Sequence, residues 1–211
     1  MKHSGRWAHL TNDLRHSAIA VVTGAMLLVS GALPGAALQG SQAAPPQAGD
    51  ADKPTLADFD KRVEAYVALH KKVEDGLKPL PDNATPVQIE AALTQLSRGI
   101  STARIGARPG EMFQPAMQVW VRRTLERVFS APEGKQLRAS ILDENPIGAA
   151  LRVNGPYPDS IPLSTMPPQV LEALPKLPEE LEFRFVGERL ILFDHHAHLI
   201  VDYVDRALPR V

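Results

Sequence analysis

The clearest alternation of apolar and polar positions lies near the end of the chain, over residues 181–204. Its first stretch alternates apolar with charged residues, in the order Leu181, Glu182, Phe183, Arg184, Phe185. This is the period of a β-strand with one buried and one solvated face. Gly187 and Glu188 follow, and glycine at the first central position suits a two-residue hairpin turn. The pattern therefore predicts a strand, a tight turn and a returning strand.

The expected hairpin has a register that can be checked. A two-residue loop pairs Phe185 with Leu190 and Phe183 with Leu192, so that inward residues of both strands share one face. Beyond a second turn near residues 194–197, a third strand is expected with its alternate residues on that face: Leu199, Val201, Tyr203. The result is an antiparallel β-meander over 181–204, with Phe183 in the centre of the core. So small a sheet needs a cover for its apolar face.

Helical periodicity upstream supplies that cover. Apolar residues recur at helical spacing from Thr55, whose side chain is the expected cap of the first helix. Thr85, Pro86 and Gln88 predict a capping box at the start of a second helix. A third helix is expected from Pro115, and a short fourth ends near residue 142. His70 lies on the apolar stripe of the first helix, and a packed, hydrogen-bonded histidine is the expectation there.

Prolines then dominate residues 146–180, so this segment is expected to run extended, as a strap with one short helix near residues 169–174. Asn154-Gly155 alone would suggest a hairpin, but Pro156 removes a donor of the strand ladder and argues against one. The expected class is thus α+β: a three- to four-helix bundle (55–145), a proline-rich strap (146–180) and the meander, all within one domain (55–211).

The N-terminal part shows the pattern of an export signal. Basic residues precede an uncharged run from Ala18 to Leu38, and small residues follow near Ala37 and Ala43. This order is typical of a secretory signal peptide over residues 1–37. The alternative is a retained membrane anchor, because the run is just long enough to span. Residues 38–54 are rich in alanine and proline and are expected to form a disordered linker.

Composition narrows the classes of function. The formal net charge is -1, so the chain has no excess of positive charge to attract the phosphates of a nucleic acid. This argues against a nucleic-acid partner. The absence of cysteine excludes disulfides, thiolate metal sites and a cysteine nucleophile. The expected location is outside the cytoplasm, in the periplasm or extracellular space of a bacterium. A membrane contact is expected only through the N-terminal segment, if that segment is retained.

One cluster of metal-type side chains stands out on the second turn of the meander: Asp194, His195, His196, His198. Imidazoles with a carboxylate suit a divalent transition metal such as zinc, nickel or copper. The alternative is a solvated polar turn, because side chains on a loop are not held in a fixed geometry. No other cofactor is expected.

Other candidate groups have simpler interpretations. Several arginines could form an anion site, but interleaved acidic residues favour the solvated faces of helices: Arg104, Arg108, Arg122, Arg123, Arg127. Asp143-Glu144 is a carboxylate pair at an expected helix end. The sequence has no nucleophile elbow, phosphate-binding glycine loop or His-Glu-x-x-His motif. An enzyme would need a site assembled from dispersed residues.

Three segments resemble a family of secreted bacterial proteins of unknown function: residues 107–113 (ARPGEMF), residues 153–158 (VNGPYP) with 162–168 (PLSTMPP), and residues 199–202 (LIVD). The resemblance covers most of the chain after the linker.

A second resemblance is to the C-terminal module of RcnB-type periplasmic proteins, which are linked to nickel and cobalt homeostasis. It rests on Phe183-Arg184-Phe185-Val186-Gly187 and Leu190-Ile191-Leu192.

Together these patterns predict a non-catalytic extracytoplasmic module that binds a protein, an envelope component or a small ligand. A metal-handling periplasmic protein that uses the histidine turn is the alternative. An enzyme with a dispersed site is the third possibility.

Overall fold

The computed structural model describes residues 49–144, 150–158, 161–162 and 165–210. The expected signal peptide (1–37) and residues 38–48 of the expected linker lie outside this part of the chain. All described residues belong to one unit, Pro45–Val211. Within the described ranges, no helix combines the length and apolarity that crossing a membrane requires.

Five α-helices and four β-strands follow one another in the described residues. The helices are α1 (Lys53–Asp75), α2 (Pro86–Ala103), α3 (Pro115–Phe129), α4 (Gly134–Glu144) and α5 (Pro168–Ala173). The strands are β1 (Gly155–Pro156), β2 (Leu181–Val186), β3 (Arg189–Asp194) and β4 (Leu199–Val204). The α+β class is confirmed, with the helices first and an antiparallel sheet at the end.

Helix boundaries follow local signals, with one exception. The capping box of α2 is confirmed: Thr85 Oγ1 accepts from the Gln88 N–H, and Gln88 Oε1 accepts from the Thr85 N–H. At α1 the expected cap is wrong, because a 3-10 turn (Asp50–Asp52) leads directly into a helix that begins at Lys53. Pro54 is tolerated in the first helical turn, where its missing N–H would have no partner. Residues 50–54, which were expected to belong to the disordered linker, are therefore helical.

The sheet has the order β1-β4-β3-β2, and every neighbouring pair is antiparallel. The hairpin register is confirmed, with Phe183 opposite Leu192 and Phe185 opposite Leu190. Gly187 has φ of 56°, a backbone conformation that glycine adopts without strain. The turn and the hydrophobic pattern thus specify the same pairing.

The strap contributes a fourth strand that the sequence pattern argued against. Gly155 lies opposite Ile200, and Asn154 N–H and Tyr157 N–H donate to carbonyls of Ile200 and His198 at 2.8 and 3.0 Å. Pro156 needs no donor because β1 lies at the edge of the sheet. The expectation that Pro156 would prevent strand pairing is therefore wrong.

β4 departs from simple alternation. Its register with β3 shifts between Leu192 and Phe193, so that Val201 has no opposite residue. Val201 then packs in the main core, on the helix-covered side of the sheet. Asp202 lies on the same side of the sheet, where its carboxylate accepts hydrogen bonds from backbone N–H groups of the loop before α3. Tyr203 packs on the opposite side. The expectation that Tyr203 shares a face with Val201 is wrong, because a bulge places two residues of one strand opposite one of its partner.

Both faces of the sheet are covered. The helix face packs against α1 and α3, where Phe183 is 3% exposed and lies against the rings of Phe59 and Phe113. This confirms Phe183 as a core residue. The opposite face, here called the strap face, carries a second apolar cluster: Tyr157, Ile161, Val186, Ile191, Phe193, Ile200. The strap thus covers a face that the alternation had assigned to solvent.

Candidate functional site

A buried polar cluster joins α1 to the end of β3. Asp194 Oδ2 accepts a hydrogen bond from the Tyr66 hydroxyl at 2.7 Å and another from His70 Nδ1 at 2.7 Å. Nδ1 is the donor here because an ionised carboxylate only accepts. Asp194 Oδ1 accepts from the Ala197 N–H at 2.8 Å. The expectation of a packed, hydrogen-bonded His70 is confirmed.

The three side chains of this cluster perturb one another's protonation. Burial raises the pKa of Tyr66 well above its ordinary value, and the charge of Asp194 adds to the rise. Burial alone would lower the pKa of His70, but the hydrogen bond and charge of Asp194 outweigh it and the pKa is raised. Burial would raise the pKa of Asp194, but the His70 contact outweighs it and the pKa is lowered. The contact between His70 and Asp194 thus favours the charged form of each group.

A histidine hydrogen-bonded to a carboxylate resembles a catalytic pair, but this pair is not accessible to solvent. His70 and Asp194 are both 0% exposed. His70 Nε2 has no hydrogen-bond partner among the described residues, and Glu74 Oε2 lies 3.8 Å away. A general base must come within hydrogen-bond reach of its substrate. In this conformation His70 and Asp194 tie α1 to the sheet and are not accessible to a substrate.

The four metal-ligand candidates lie in different surroundings. Asp194 bonds inward, and His196 is buried with its ring centroid 5.8 Å from that of His70. His195 is half-buried against His196, whereas His198 is exposed and contacts aromatic rings of the strap face. Across the described ranges, no three His, Asp or Glu residues are grouped so that they could hold a metal ion.

A second buried carboxylate organises the loop between α2 and α3. Asp202 Oδ2 accepts from the N–H groups of Met112 and Phe113 at 2.8 and 2.9 Å, and Oδ1 accepts from Gly110 N–H at 3.0 Å. Burial raises the pKa of Asp202 even though these bonds oppose the rise. Four consecutive loop residues are therefore fixed against β4, with Glu111 in the middle.

Arg104, at the C-terminal end of α2, is the buried cation of this region. It is 8% exposed, and its guanidinium lies over the Tyr66 ring, 5.1 Å from Cζ to the centroid. Nη2 donates to the Val201 carbonyl at 3.3 Å and lies 3.4 Å from Glu111 Oε1. The expectation of a solvated face is wrong for Arg104, because the loop after α2 folds back over it.

A pocket of about 490 Å³ opens beside this arginine, and we call it the Arg104 pocket. It lies between α1, the end of α2 and the following loop. Its walls combine small and apolar side chains with a few polar ones: Arg62, Ala65, Tyr66, Leu69, Ala103, Arg104, Ile105, Gly106, Ala107, Glu111, Met112. Small-molecule sites have this size and this mixture of apolar walls and few convergent polar groups.

A larger groove, of about 550 Å³, lies between α1, α3 and α5. Its acidic lining residues, Asp60, Glu64 and Glu172, are exposed, and its lysine, Lys176, is exposed too. Exposed charges are hydrated and gain little from a ligand. The smaller pocket, which has a buried guanidinium and a tyrosine of perturbed pKa, is therefore the stronger candidate.

Two side chains from distant parts of the chain hold the backbone next to this pocket. Asp202 holds residues 110–113, and the side-chain amide of Asn154 donates to the carbonyls of Ser101 and Arg104 at 2.9 and 3.1 Å. Asn154 has φ of 61°, which asparagine tolerates better than most residues. Comparison with protein-family models, with curated proteins and with solved structures gives no match.

Sequence reasoning placed none of the pocket's polar residues in a site. Tyr66 was not singled out, and Arg104 was considered for an anion site but assigned to a solvated face. One signal was present: Tyr66 and His70 are polar residues four positions apart on a stripe that is otherwise apolar. Polar side chains on a buried stripe need partners. The partner, Asp194, lies more than a hundred residues away in sequence.

Proposed function

We propose that this chain is an exported, non-catalytic binding module that holds a small molecule in the Arg104 pocket. The observation that carries the proposal is the pocket itself: a nearly buried guanidinium and a tyrosine at the edge of a cavity with apolar walls. Both polar side chains are held by the fold, Tyr66 through Asp194 and Arg104 through the Val201 carbonyl. Such fixed groups orient a ligand without reorganisation of the site.

The pocket can be tested by filling it. Ala103 is an exposed residue of α2 that lines the pocket, so Ala103→Trp should block it without disturbing the core. Ala91→Trp, at an exposed position of the same helix outside the pocket, is the matched control. Thermal unfolding is followed with a library of amino acids, sugars, short fatty acids and short peptides.

A ligand that binds only the folded state raises the unfolding temperature. We expect at least one compound to stabilise the unmodified chain and the Ala91→Trp variant but not the Ala103→Trp variant. If every stabilising compound acts equally on Ala103→Trp, the Arg104 pocket is not the binding site.

Export is the second part of the proposal. It is supported by the basic N-terminal residues, the uncharged run from Ala18 to Leu38 and the small residues that follow, and by the resemblance to secreted bacterial proteins. We expect the protein recovered from the cell envelope to lack the first 37 to 43 residues. Intact-mass measurement tests this, and a full-length mass in that fraction would support a retained anchor instead.

A further inference from the structure

The charge of Arg104 is incompletely matched. Charged side chains are rarely buried without a close partner of opposite charge, and good guanidinium–carboxylate contacts are about 2.7 to 2.9 Å long. The nearest carboxylate oxygen here is 3.4 Å away and belongs to Glu111, whose side chain is 43% exposed. Both polar contacts use Nη2. Among the described residues, Nε and Nη1 have no hydrogen-bond partner, so this cation retains donors for another acceptor.

Glu111 is the carboxylate that lies beside this guanidinium. Its backbone is fixed, because Asp202 binds the N–H groups on either side and the Glu111 carbonyl accepts from Arg62 Nη1 at 3.0 Å. Its carboxylate, by contrast, contacts only Arg104 in the described part of the chain. An ion pair of this length, in which the carboxylate is 43% exposed to water, is weaker than a close and fully enclosed pair. A carboxylate from solution can therefore replace Glu111 beside Arg104 at small cost.

The other residues of the pocket favour a ligand whose anionic group is attached to an apolar part. Ala65 and Leu69 on α1 and Ala103 at the end of α2 all line the cavity. Ile105, which also lines the pocket, is 85% exposed and is one of the few large hydrophobic side chains that remain in solvent. Covering it would remove apolar surface from water, at roughly 25 cal/mol per Å².

We propose that the ligand of the Arg104 pocket is a small carboxylate with an apolar body, which displaces Glu111 from the guanidinium. The proposal rests on the binding function proposed above and assigns the chemical class of its ligand. Glu111 in this account is an internal competitor. Neutralising it should strengthen the binding of a carboxylate, which is the opposite of what loss of a ligand-binding residue would do.

The test uses hexanoate as the probe and hexanamide as its neutral isostere. Dissociation constants are measured by NMR titration for the unmodified chain, for Glu111→Gln and for Glu90→Gln. Glu90 is exposed on α2 and lies outside the pocket, so its variant makes the same change in net charge. We expect Glu111→Gln to lower the Kd of hexanoate by about three- to tenfold, because one nearby negative charge is removed.

The controls should stay close to the unmodified chain. Glu90→Gln should change the hexanoate Kd by less than about twofold, since screening weakens distant exposed charges. Hexanamide should bind more weakly than hexanoate, with a Kd that Glu111→Gln leaves nearly unchanged. The Arg104 side-chain N–H resonances should shift with hexanoate.

Other results separate this proposal from the function on which it rests. If hexanamide binds as well as hexanoate and Ala103→Trp abolishes both, the pocket is a ligand site but the carboxylate class is wrong. If Glu111→Gln and Glu90→Gln tighten hexanoate binding equally, the effect is one of net charge and the displacement of Glu111 is refuted. No saturable hexanoate binding to any variant also overturns the proposal.

Discussion

The two faces of the sheet differ in what covers them and in what they can bury. The helix face packs against α1 and α3 and includes two fully buried carboxylates, Asp194 and Asp202. Each carboxylate accepts several hydrogen bonds from elements that pack on that face. The strap face has a smaller apolar cluster under a segment that contributes a two-residue strand.

The difference between the two faces shows what a fold needs in order to bury a charged side chain. A buried carboxylate needs donors at fixed positions, since an unpaired buried charge is very unfavourable. Helix α1 supplies such donors as side chains, and the loop before α3 supplies them as backbone N–H groups. The Arg104 pocket lies on the same side, because Tyr66 and the loop that holds Glu111 are positioned by these two carboxylates.

The largest expected effect compares one phenylalanine from each face. Phe183→Ala should lower the unfolding free energy by about 3 to 5 kcal/mol, the usual range for a core phenylalanine. Phe193→Ala, equally buried on the strap face, should lower it by less, because the thinner cover can collapse into the cavity. Urea denaturation of both variants measures the difference. A larger loss at Phe193 would show that the strap is the more tightly packed cover.

The next effect tests the carboxylate that holds the pocket loop. Asp202→Ala leaves the buried N–H groups of Met112 and Phe113 without an acceptor, and we expect a loss of about 2 to 3 kcal/mol. Asp205→Ala, which removes an exposed carboxylate paired with Arg189, is the control and should cost at most about 1 kcal/mol. Similar losses in the two variants, measured by urea denaturation, would mean that Asp202 does not anchor the loop.

A smaller effect should appear as a dependence on pH. The pKa of His70 is raised in the folded state, so its contribution to stability is complete below the unfolded value of about 6.5 and is lost as pH rises through the folded value. The pKa of His196 is lowered by burial and by the charge of His195, so its contribution is lost below about pH 6.5 instead.

The window above pH 6.5 therefore isolates His70. Urea denaturation between about pH 6.5 and 9 should show the unmodified chain losing stability as pH rises, while His70→Gln shows a flatter profile. Parallel profiles for the two proteins would contradict a raised pKa of His70 in its contact with Asp194.

The smallest expected effect is at Arg184, beside Phe183 on β2. Its side chain is 12% exposed and pairs with Glu182 at 2.7 Å. The alternation had placed it in solvent, whereas most of its side chain is covered in the structure. Arg184→Ala should cost about 1 kcal/mol, because the Glu182 carboxylate that it leaves behind is 29% exposed and can be hydrated. A loss close to that of Phe183→Ala would mean that the strap face buries charge as effectively as the helix face.

Elements specified by neighbouring residues could be read from the sequence alone. The capping box of α2 and the proline that opens α3 set helix starts, because a few adjacent residues satisfy the free N–H groups. Gly187 and the alternation around it set the register of β2 and β3, because a two-residue turn allows a single pairing. The α+β class and the core position of Phe183 followed from the same local patterns.

The candidate site was decided by tertiary structure. Asp202 meets Met112 across 90 positions of the chain, and the bulge that turns Asp202 toward the helices arises only when β4 pairs with β3. Arg104 carries no local signal of burial, since the groups that enclose it come from α1, β4 and the following loop. Periodicity reports which face of an element is apolar. It does not report which distant polar groups will contact that face. Those long-range contacts form the pocket.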